Sequence, residues 1–257
     1  DAPIPRFDLI DRPSERNRLT IQTQRGCPWR CDFCASSIRL TRRYKVKPAD
    51  RVATEIRAIK ELWSEPFIEL ADDNTFVDRR HARTLVETLG EEGIPWFTET
   101  DVGVANDPKL VAMIADAGCE EVLIGFEGPS AAGLDGIELR RNWKRHQVDG
   151  YRSAIDLLQS NGIAVNACFV LGLDGDGPEV FEAVHRFVEE TQPFDVQLTV
   201  MTPFPGTPLY ERLLREDRIL HVGDWARCTL FDVNFRPALM SVEALEEGLL
   251  RIGLPLF

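Results

Sequence analysis

Long apolar runs are missing from this sequence of 257 residues. No stretch approaches the roughly 18 consecutive apolar residues that a membrane-spanning helix requires. The first eight residues, D-A-P-I-P-R-F-D, also lack the apolar core of a secretory signal. The sequence therefore predicts a cytoplasmic protein without a membrane span. Because residue 1 is not methionine, it leaves open what precedes that residue.

Basic residues are in the minority. Lysine and arginine number 30 against 42 aspartates and glutamates, so the formal net charge is -12. This balance argues against a general nucleic-acid-binding surface. Two basic segments, 39–47 and 138–146, depart from it. They indicate either a solvated face or a phosphate or carboxylate ligand nearby.

Histidine is scarce, and the motifs of common hydrolases are missing. The four histidines are His81, His146, His185 and His221, and none forms an H-x3-5-H pair. Neither G-x-S-x-G nor H-E-x-x-H occurs. The sequence thus gives little support to hydrolytic chemistry and offers no histidine pair for a zinc site.

Between about residues 19 and 201, short apolar segments alternate with amphipathic ones. This alternation predicts six β/α units around a parallel sheet. The predicted strands are 19–23, 67–71, 96–100, 122–126, 164–171 and 196–200. The intervening helices carry start and stop signals: Asp107 caps one, Pro108 takes its first position and Gly118 closes it. The next helix starts near Tyr151 and ends before Gly162.

Several predicted strands alternate apolar and polar residues with a period of two. The polar positions are Thr20, Gln22, Glu69, Asn166, Gln197 and Thr199. Helices should cover one face of the sheet, so these side chains indicate either a ligand-binding barrel lumen or an exposed sheet face. Residues 1–18 are then a lead-in, and 202–257 are an extension predicted to close one end of the barrel.

Three of the six cysteines cluster in R-G-C-P-W-R-C-D-F-C, at Cys27, Cys31 and Cys34. A structural zinc site or an electron-transfer iron-sulfur protein normally supplies four ligands, and a disulfide would leave one thiol over. Three thiolates suit a 4Fe-4S cluster in which one iron stays open to a substrate or cofactor. The scattered cysteines, Cys119, Cys168 and Cys228, are predicted to be small buried side chains.

The spacing C-x3-C-x2-C, with Phe33 before the last cysteine and a strand just before the motif, resembles the radical S-adenosylmethionine (SAM) superfamily. The resemblance implies a partial (β/α)6 TIM-like barrel of the α/β class. It also implies that Cys27, Cys31 and Cys34 hold three irons and that SAM chelates the fourth. An electron then cleaves SAM to methionine and a 5'-deoxyadenosyl radical, which abstracts hydrogen from a small-molecule substrate. A flavodoxin- or ferredoxin-type donor would supply that electron.

Further segments are similar to the cobalamin-associated radical SAM enzymes, a group that includes the anaerobic ring cyclase of chlorophyll synthesis. They are A-P-I-P-R-F-D-L-I, L-A-D-D-N-T-F-V-D, I-G-F-E-G-P, F-V-L-G-L-D-G-D, T-P-F-P-G-T-P-L-Y and R-I-L…D-W. The cobalamin-binding motif D-x-H-x-x-G is absent. Either the chain is an excised catalytic piece, or it works without cobalamin. With cobalamin, methyl transfer or ring formation is implied; without it, hydrogen-atom abstraction.

The resemblance also assigns SAM contacts. Asp72, Asp73 and Asn74, which follow the second predicted strand, match the position that receives the SAM amino group, although a polar turn that caps the next helix would also explain them. Glu127, at the end of the fourth strand, matches a contact to the ribose or amino group.

The remaining contacts concern the methionine carboxylate and the adenine ring. Lys144, with Arg141 and Arg145, could meet the carboxylate. Backbone groups of Leu171 and Gly172, and of Thr202 and Pro203, would contact adenine, with Gly172 permitting close approach. Phe33 would lean on adenine or shield the cluster.

Two alternatives of another class are left open: a non-catalytic iron-sulfur or zinc module, and a degenerate barrel that binds a partner protein. The intact cysteine trio and Asp72–Asn74 argue against a degenerate barrel. The sequence does not identify the substrate, since lipids, tetrapyrroles, peptides and natural-product precursors all remain possible.

Overall fold

The structure, a computed structural model, describes residues 3–36, 38 and 43–256. Its strands are β1 (Leu19–Ile21), β2 (Gln24–Arg25), β3 (Lys45–Val46), β4 (Ile68–Leu70), β5 (Trp96–Thr100), β6 (Cys119–Glu127), β7 (Ala164–Leu171) and β8 (Asp195–Val200). Six of them form one parallel sheet in the order β1-β4-β5-β6-β7-β8, while β2 and β3 form a separate antiparallel pair. The predicted α/β class and the six β/α rounds are confirmed.

Helices follow the sheet strands along the chain. They are α1 (Ala49–Lys60), α2 (Arg79–Glu92), α3 (Pro108–Asp116), α4 (Tyr151–Ser160), α5 (Val180–Thr191), α6 (Pro208–Arg215) and α7 (Val242–Leu256). No helix in the described part of the chain is both long and apolar enough to cross a membrane.

The predicted boundaries of α3 and α4 agree with the structure. The Asp107 carboxylate accepts a hydrogen bond from the Leu110 amide at 3.1 Å, and Pro108 occupies the first helical position. Gly118, two residues beyond the end of α3, has φ +88°, and a Cβ there would lie 2.7 Å from the Ile94 carbonyl oxygen. Only glycine fits that backbone conformation without strain, so the chain can turn directly into β6.

The two faces of the sheet differ in burial. Side chains such as Ile68, Trp96 and Val122 are fully buried under the helices. The alternate positions are more open: Thr20 is exposed and Glu69 and Asn166 are half-buried. This period-two pattern gives the sheet an apolar outer face and a polar inner face, as in a partial barrel.

The C-terminal extension has two separate positions. The Leu209 amide at the start of α6 donates to the Asp32 carbonyl oxygen at 3.2 Å, so α6 lies against the cysteine loop. Helix α7 packs against α5 and β8, and a Cβ on Gly248 would collide with the Phe181 ring. Thus α6 lies against the cysteine loop, whereas α7 packs on the outer helix layer.

Candidate functional site

The three clustered cysteines lie in a loop that follows β2. Gly26 has φ +83°, a left-handed conformation that glycine adopts without strain, and its amide donates to Asp73 Oδ2 at 2.8 Å. Cys31 forms an isolated antiparallel bridge with Glu138, and the Asp32 amide donates to the Ile137 carbonyl oxygen at 2.7 Å. The segment after β4, the segment after β6 and helix α6 therefore all hold this loop.

A cavity of about 280 Å³ opens beside this loop at the carboxyl-terminal rim of the sheet. Most of the side chains predicted for the site line it together: Cys27, Cys31, Phe33, Cys34, Asp73, Asn74, Glu127 and Lys144. Strands β5, β6 and β7 and the segment after β4 contribute to its wall, because parallel strands end at the same edge of a sheet. Residues more than 100 positions apart in the sequence thus converge on the cysteine loop.

Burial controls the protonation of the thiols. Cys31 is buried, and removal from water raises the pKa of its thiol. Burial likewise raises the pKa of Cys27 to about 11, and the Asn74 amide donates to Cys27 Sγ at 3.8 Å. Because metals bind the thiolate form, occupation of this site would release protons.

The donor set is compatible in its chemistry with an iron-sulfur cluster. Cys27, Cys31 and Cys34 line one cavity, and soft sulfur ligands are the ones that such clusters use. Within the described residues, no three His, Cys, Asp or Glu side chains are close enough to surround one metal ion.

Asp72 and Asp73, which are adjacent in sequence, have different roles. The Asp72 carboxylate is buried outside the cavity and accepts hydrogen bonds from the Thr23 and Gln24 amides at 2.8 and 2.9 Å and from the Thr23 and Thr75 hydroxyls. It joins the end of β4 to the start of the cysteine loop. Asp73 lines the cavity, so the geometry supports a ligand contact for Asp73 and not for Asp72.

A polar chain links Asn74 to the tryptophan between the first two cysteines. Asn74 Nδ2 and Trp29 Nε1 both donate to Asp101 Oδ2, at 2.6 and 2.8 Å. Trp29 stacks on Trp143, with ring centroids 4.8 Å apart. Asp101 and Trp29 line the cavity but are absent from the sequence prediction. The position of Asp101 directly after β5 was the signal that could have identified it.

Glu127 and Lys144 form a buried ion pair in the cavity wall. Lys144 Nζ donates to Glu127 Oε1 and to the Gly125 carbonyl oxygen, both at 2.7 Å. Burial alone would lower the pKa of Lys144, but the surrounding acidic groups, led by the Glu127 carboxylate, together raise that pKa. A Cβ on Gly125 would lie 2.6 Å from Glu127 Oε1, so glycine leaves the space for the pair. Glu127 itself has φ +65°, and the register of β6 against β7 shifts there.

Two further side chains face the cavity from the inner face of the sheet. Glu99 on β5 is exposed to the lumen and has no side-chain partner among the described residues. Its carboxylate is partly withdrawn from water inside the cavity, and this, with the neighbouring carboxylates of Glu69 and Asp73, raises its pKa. Cys168 on β7 also lines the cavity, and burial raises its pKa to about 12. The period-two alternation that identified other lumen positions also applies to these two.

The predicted adenine contacts lie outside the cavity. Leu171, Thr202 and Pro203 are buried, and the Thr202 hydroxyl donates to the Val200 carbonyl oxygen at 3.0 Å. Gly172 does permit a close approach, but a Cβ there would meet Leu245 at 2.7 Å and the Phe235 ring at 3.0 Å. The C-terminal extension therefore packs against Gly172, where the sequence predicted adenine.

Other polar positions singled out in the sequence also lie away from the cavity. Asn166 and Gln197 are half-buried on the inner face of the sheet but are not part of the cavity wall. Arg141 is exposed, and Arg145 pairs with Asp135 at 2.9 Å. Of the basic segment 39–47, residues 39–42 lie outside the described residues. The predicted carboxylate contact is thus reduced to Lys144, whose charge is already paired.

Comparison with protein families gives one match that covers most of the chain. The model of the radical SAM superfamily matches residues 21–188, from the first strand through most of α5. The cysteine loop and the whole cavity wall lie inside that range.

Curated relatives are longer than this chain. A bacteriochlorophyllide d C-12(1)-methyltransferase of Chlorobaculum tepidum is 25% identical over 236 residues, which are 91% of this chain and 50% of that protein. An anaerobic magnesium-protoporphyrin IX monomethyl ester cyclase of Cereibacter sphaeroides is 30% identical over 234 residues, which are 89% of this chain and 36% of that protein. The chain thus spans half or less of the length of these relatives.

Among solved structures, the SAM methyltransferase TsrM from Kitasatospora setae, with cobalamin and a 4Fe-4S cluster bound, has the same fold. The TM-score is 0.66 at 16% sequence identity, over 77% of this chain and 39% of that one.

Proposed function

Because this chain belongs to the radical SAM superfamily, we propose that it is the catalytic barrel of an enzyme that cleaves SAM reductively and acts on a small-molecule substrate. The observation that carries the proposal is the convergence of Cys27, Cys31 and Cys34 on one cavity at the rim of the sheet. These three thiolates would bind a 4Fe-4S cluster. When bound and reduced, the cluster supplies the electron that breaks a carbon–sulfur bond of SAM.

The aromatic side chains of the loop protect this site from water. Trp29 and Phe33 line the cavity on either side of Cys31, and Trp29 is fixed by its stack on Trp143 and its hydrogen bond to Asp101. A dry, shaped pocket keeps a reactive species away from solvent. We assign both rings to shielding.

Asp73 and Glu127 would bind polar groups of SAM. Asp73 holds the cysteine loop through the Gly26 amide and the Ser36 hydroxyl, and its oxygens retain lone pairs that can accept from an amino group. Lys144 contacts Oε1 of Glu127, so Oε2 is left to accept from a ribose hydroxyl. In this proposal Lys144 orients Glu127 and does not bind the methionine carboxylate itself.

The cavity does not reach five of the residues predicted to contact SAM, and we assign them no such contact. They are Asp72, Leu171, Gly172, Thr202 and Pro203. It includes a flavodoxin- or ferredoxin-type electron donor and no nucleic-acid partner, in keeping with the net charge of -12. It also includes a cytoplasmic location, because thiols that bind a metal cluster persist in a reducing compartment.

A second candidate function is methyl transfer or ring formation with cobalamin. It is favoured by the relatives, which are named as methyltransferases and a cyclase, and by the cobalamin bound to TsrM. In that case the barrel described here would work together with a cobalamin-binding domain. Both candidate functions leave the identity of the substrate open.

The proposed function is tested by product analysis. The protein is reconstituted anaerobically with iron and sulfide, reduced with dithionite and given SAM, and 5'-deoxyadenosine and S-adenosylhomocysteine are measured by mass spectrometry. We expect deoxyadenosine from the wild type and from Cys228→Ala, a matched cysteine away from the cavity, but none from Cys31→Ala. S-adenosylhomocysteine that appears only with added cobalamin would favour methyl transfer. If a fully loaded wild type formed neither of these two products, that result would contradict the proposal.

A further inference from the structure

A group of three exposed arginines lies on the outer side of the cysteine loop. Arg30 precedes Cys31 directly, and Arg140 and Arg141 lie in the segment after β6 that holds the loop. Together with the exposed side chain of Leu139, they are called the arginine patch here.

The backbone brings these residues together. The Leu139 amide donates to the Arg30 carbonyl oxygen at 2.9 Å, next to the antiparallel bridge between Cys31 and Glu138. Neighbouring residues on paired strands point to opposite faces. Cys31 and Glu138 point inward and are 8% and 2% exposed, so Arg30 and Leu139 point outward. Arg140 Nη1 also donates to the Pro28 carbonyl oxygen of the loop, at 3.4 Å.

The charges of the patch are not compensated at the surface. Several exposed arginines of this acidic chain have a carboxylate partner, as in Arg57–Glu92 and Arg152–Glu190. Among the described residues, no carboxylate lies within ion-pair distance of Arg30, Arg140 or Arg141. The nearest acidic group shown is Glu138 beneath the patch, and its oxygens accept from the Arg30, Arg140 and Arg141 amides.

We propose that the arginine patch is the docking surface for an acidic one-electron donor protein, an inference that rests on the proposed function. The patch is the surface directly above Cys31, a proposed cluster ligand, so a donor bound there has a short path to the cluster. Complementary charge accelerates association of proteins even when it adds little affinity. Arginines around one exposed apolar side chain are also typical of protein interfaces.

The test compares two electron sources in the same variants. Deoxyadenosine formation from SAM is measured with reduced flavodoxin, a small acidic flavoprotein, and separately with dithionite. The variants are Arg140→Glu/Arg141→Glu, the neutral pair Arg140→Gln/Arg141→Gln, and the control Arg16→Glu/Arg251→Glu. The control adds the same charge at two exposed arginines outside the loop. Iron content verifies that each variant retains its cluster.

We expect the flavodoxin-driven rate to fall about 10-fold or more in Arg140→Glu/Arg141→Glu at low salt, and less in the neutral pair. The dithionite-driven rate should stay at the wild-type level, and added salt should slow the wild type more than the variant. Equal flavodoxin-driven rates in all variants would overturn the docking proposal.

Failure of the proposed function would look different, since dithionite would then yield no deoxyadenosine even from the wild type. Binding of oxidised flavodoxin, measured by calorimetry in the same variants, decides the docking proposal in that event. Weaker binding by the glutamate pair than by its control supports it, and equal binding refutes it.

Discussion

The two halves of the sheet's carboxyl-terminal rim use the same kind of position for different purposes. At the ends of β4, β5 and β6, Asn74, Asp101 and Glu127 converge with the cysteine loop on an open cavity. At the end of β7, Gly172 is covered by the chain's own C-terminal extension, and Thr202, which follows β8, is buried outside the cavity. The rim of a β/α barrel is therefore a ligand site only where no later segment fills it.

The contacts that fill the second half come from far along the sequence. Leu245 on α7 and Phe235 lie within about 3 Å of a Cβ placed on Gly172. Asp174, two residues after Gly172, is held by Arg212 on α6 and by Arg218 at 2.7 Å. We call the ends of β7 and β8 the packed half of the rim and the ends of β4, β5 and β6 the open half. The packed half is stabilised by the extension, and the open half by polar contacts around the cysteine loop.

Breaking the ion pair on the open half should have the largest effect on stability. Lys144→Met leaves the Glu127 carboxylate buried without its cation. We expect the free energy of unfolding to fall by about 3–5 kcal/mol, measured by urea denaturation. The double variant Glu127→Gln/Lys144→Met removes both charges and should recover part of the loss. A single variant as stable as the wild type would show that the pair is not needed to compensate the buried charge.

On the packed half, Gly172→Ala should cost about 2 kcal/mol, because it combines a positive φ of +85° with a collision against Leu245. The matched control is Gly162→Ala, where φ is +82° but a Cβ has nothing within 4 Å. That control should cost only about 1 kcal/mol in urea denaturation. Equal losses would mean that the contact with Leu245 does not constrain Gly172. Iron content should be unchanged in both variants.

The stability of the packed half should also depend on pH, because it contains the buried carboxyl group of Asp176. Burial raises the pKa of this carboxyl to about 7, above its ordinary value of 3.8. Between these two values the folded protein binds more protons than the unfolded chain, so this group lowers stability as pH rises from about 4 to 7. Asp176→Asn removes that penalty and should be more stable than the wild type at pH 8 by at least about 1 kcal/mol, but not at pH 4. Parallel curves of unfolding free energy against pH would contradict this assignment.

Glu99→Gln should have the smallest effect on stability, although Glu99 lines the same cavity as Lys144. Its carboxylate faces the open lumen and has no partner among the described residues, so its replacement should change the unfolding free energy by less than about 0.5 kcal/mol. Thermal and urea denaturation of Glu99→Gln and Lys144→Met, measured side by side, provide the comparison. A loss as large as that of Lys144→Met would mean that Glu99 contributes to folding rather than to the cavity.

Local patterns in the sequence predicted much of this architecture. Apolar periodicity gave the six strands, and Asp107 with Pro108 gave the start of α3, because these signals depend on neighbouring residues. The cysteine spacing predicted a shared loop, and the structure places all three side chains in one cavity wall. Their role as cluster ligands stays a prediction.

Contacts between distant segments could not be predicted in the same way. Asp72 and Asp73 have identical chemistry and adjacent positions, yet one is buried in a hydrogen-bonded clamp and the other faces the cavity. The occupation of the Gly172 face by Leu245 depends on a helix that begins 70 residues later. Trp29 and Asp101 meet through a hydrogen bond between loops that follow two different strands.

The most direct test of the central claim is electron paramagnetic resonance of the reduced, anaerobically reconstituted protein with and without SAM. The account predicts a 4Fe-4S signal that changes when SAM is added, because SAM would chelate the one iron that Cys27, Cys31 and Cys34 would leave open. Cys228→Ala should behave like the wild type, and Cys31→Ala should give no such signal. A signal that SAM leaves unchanged, or one that persists in Cys31→Ala, would contradict the assignment of this cavity as a SAM-binding cluster site.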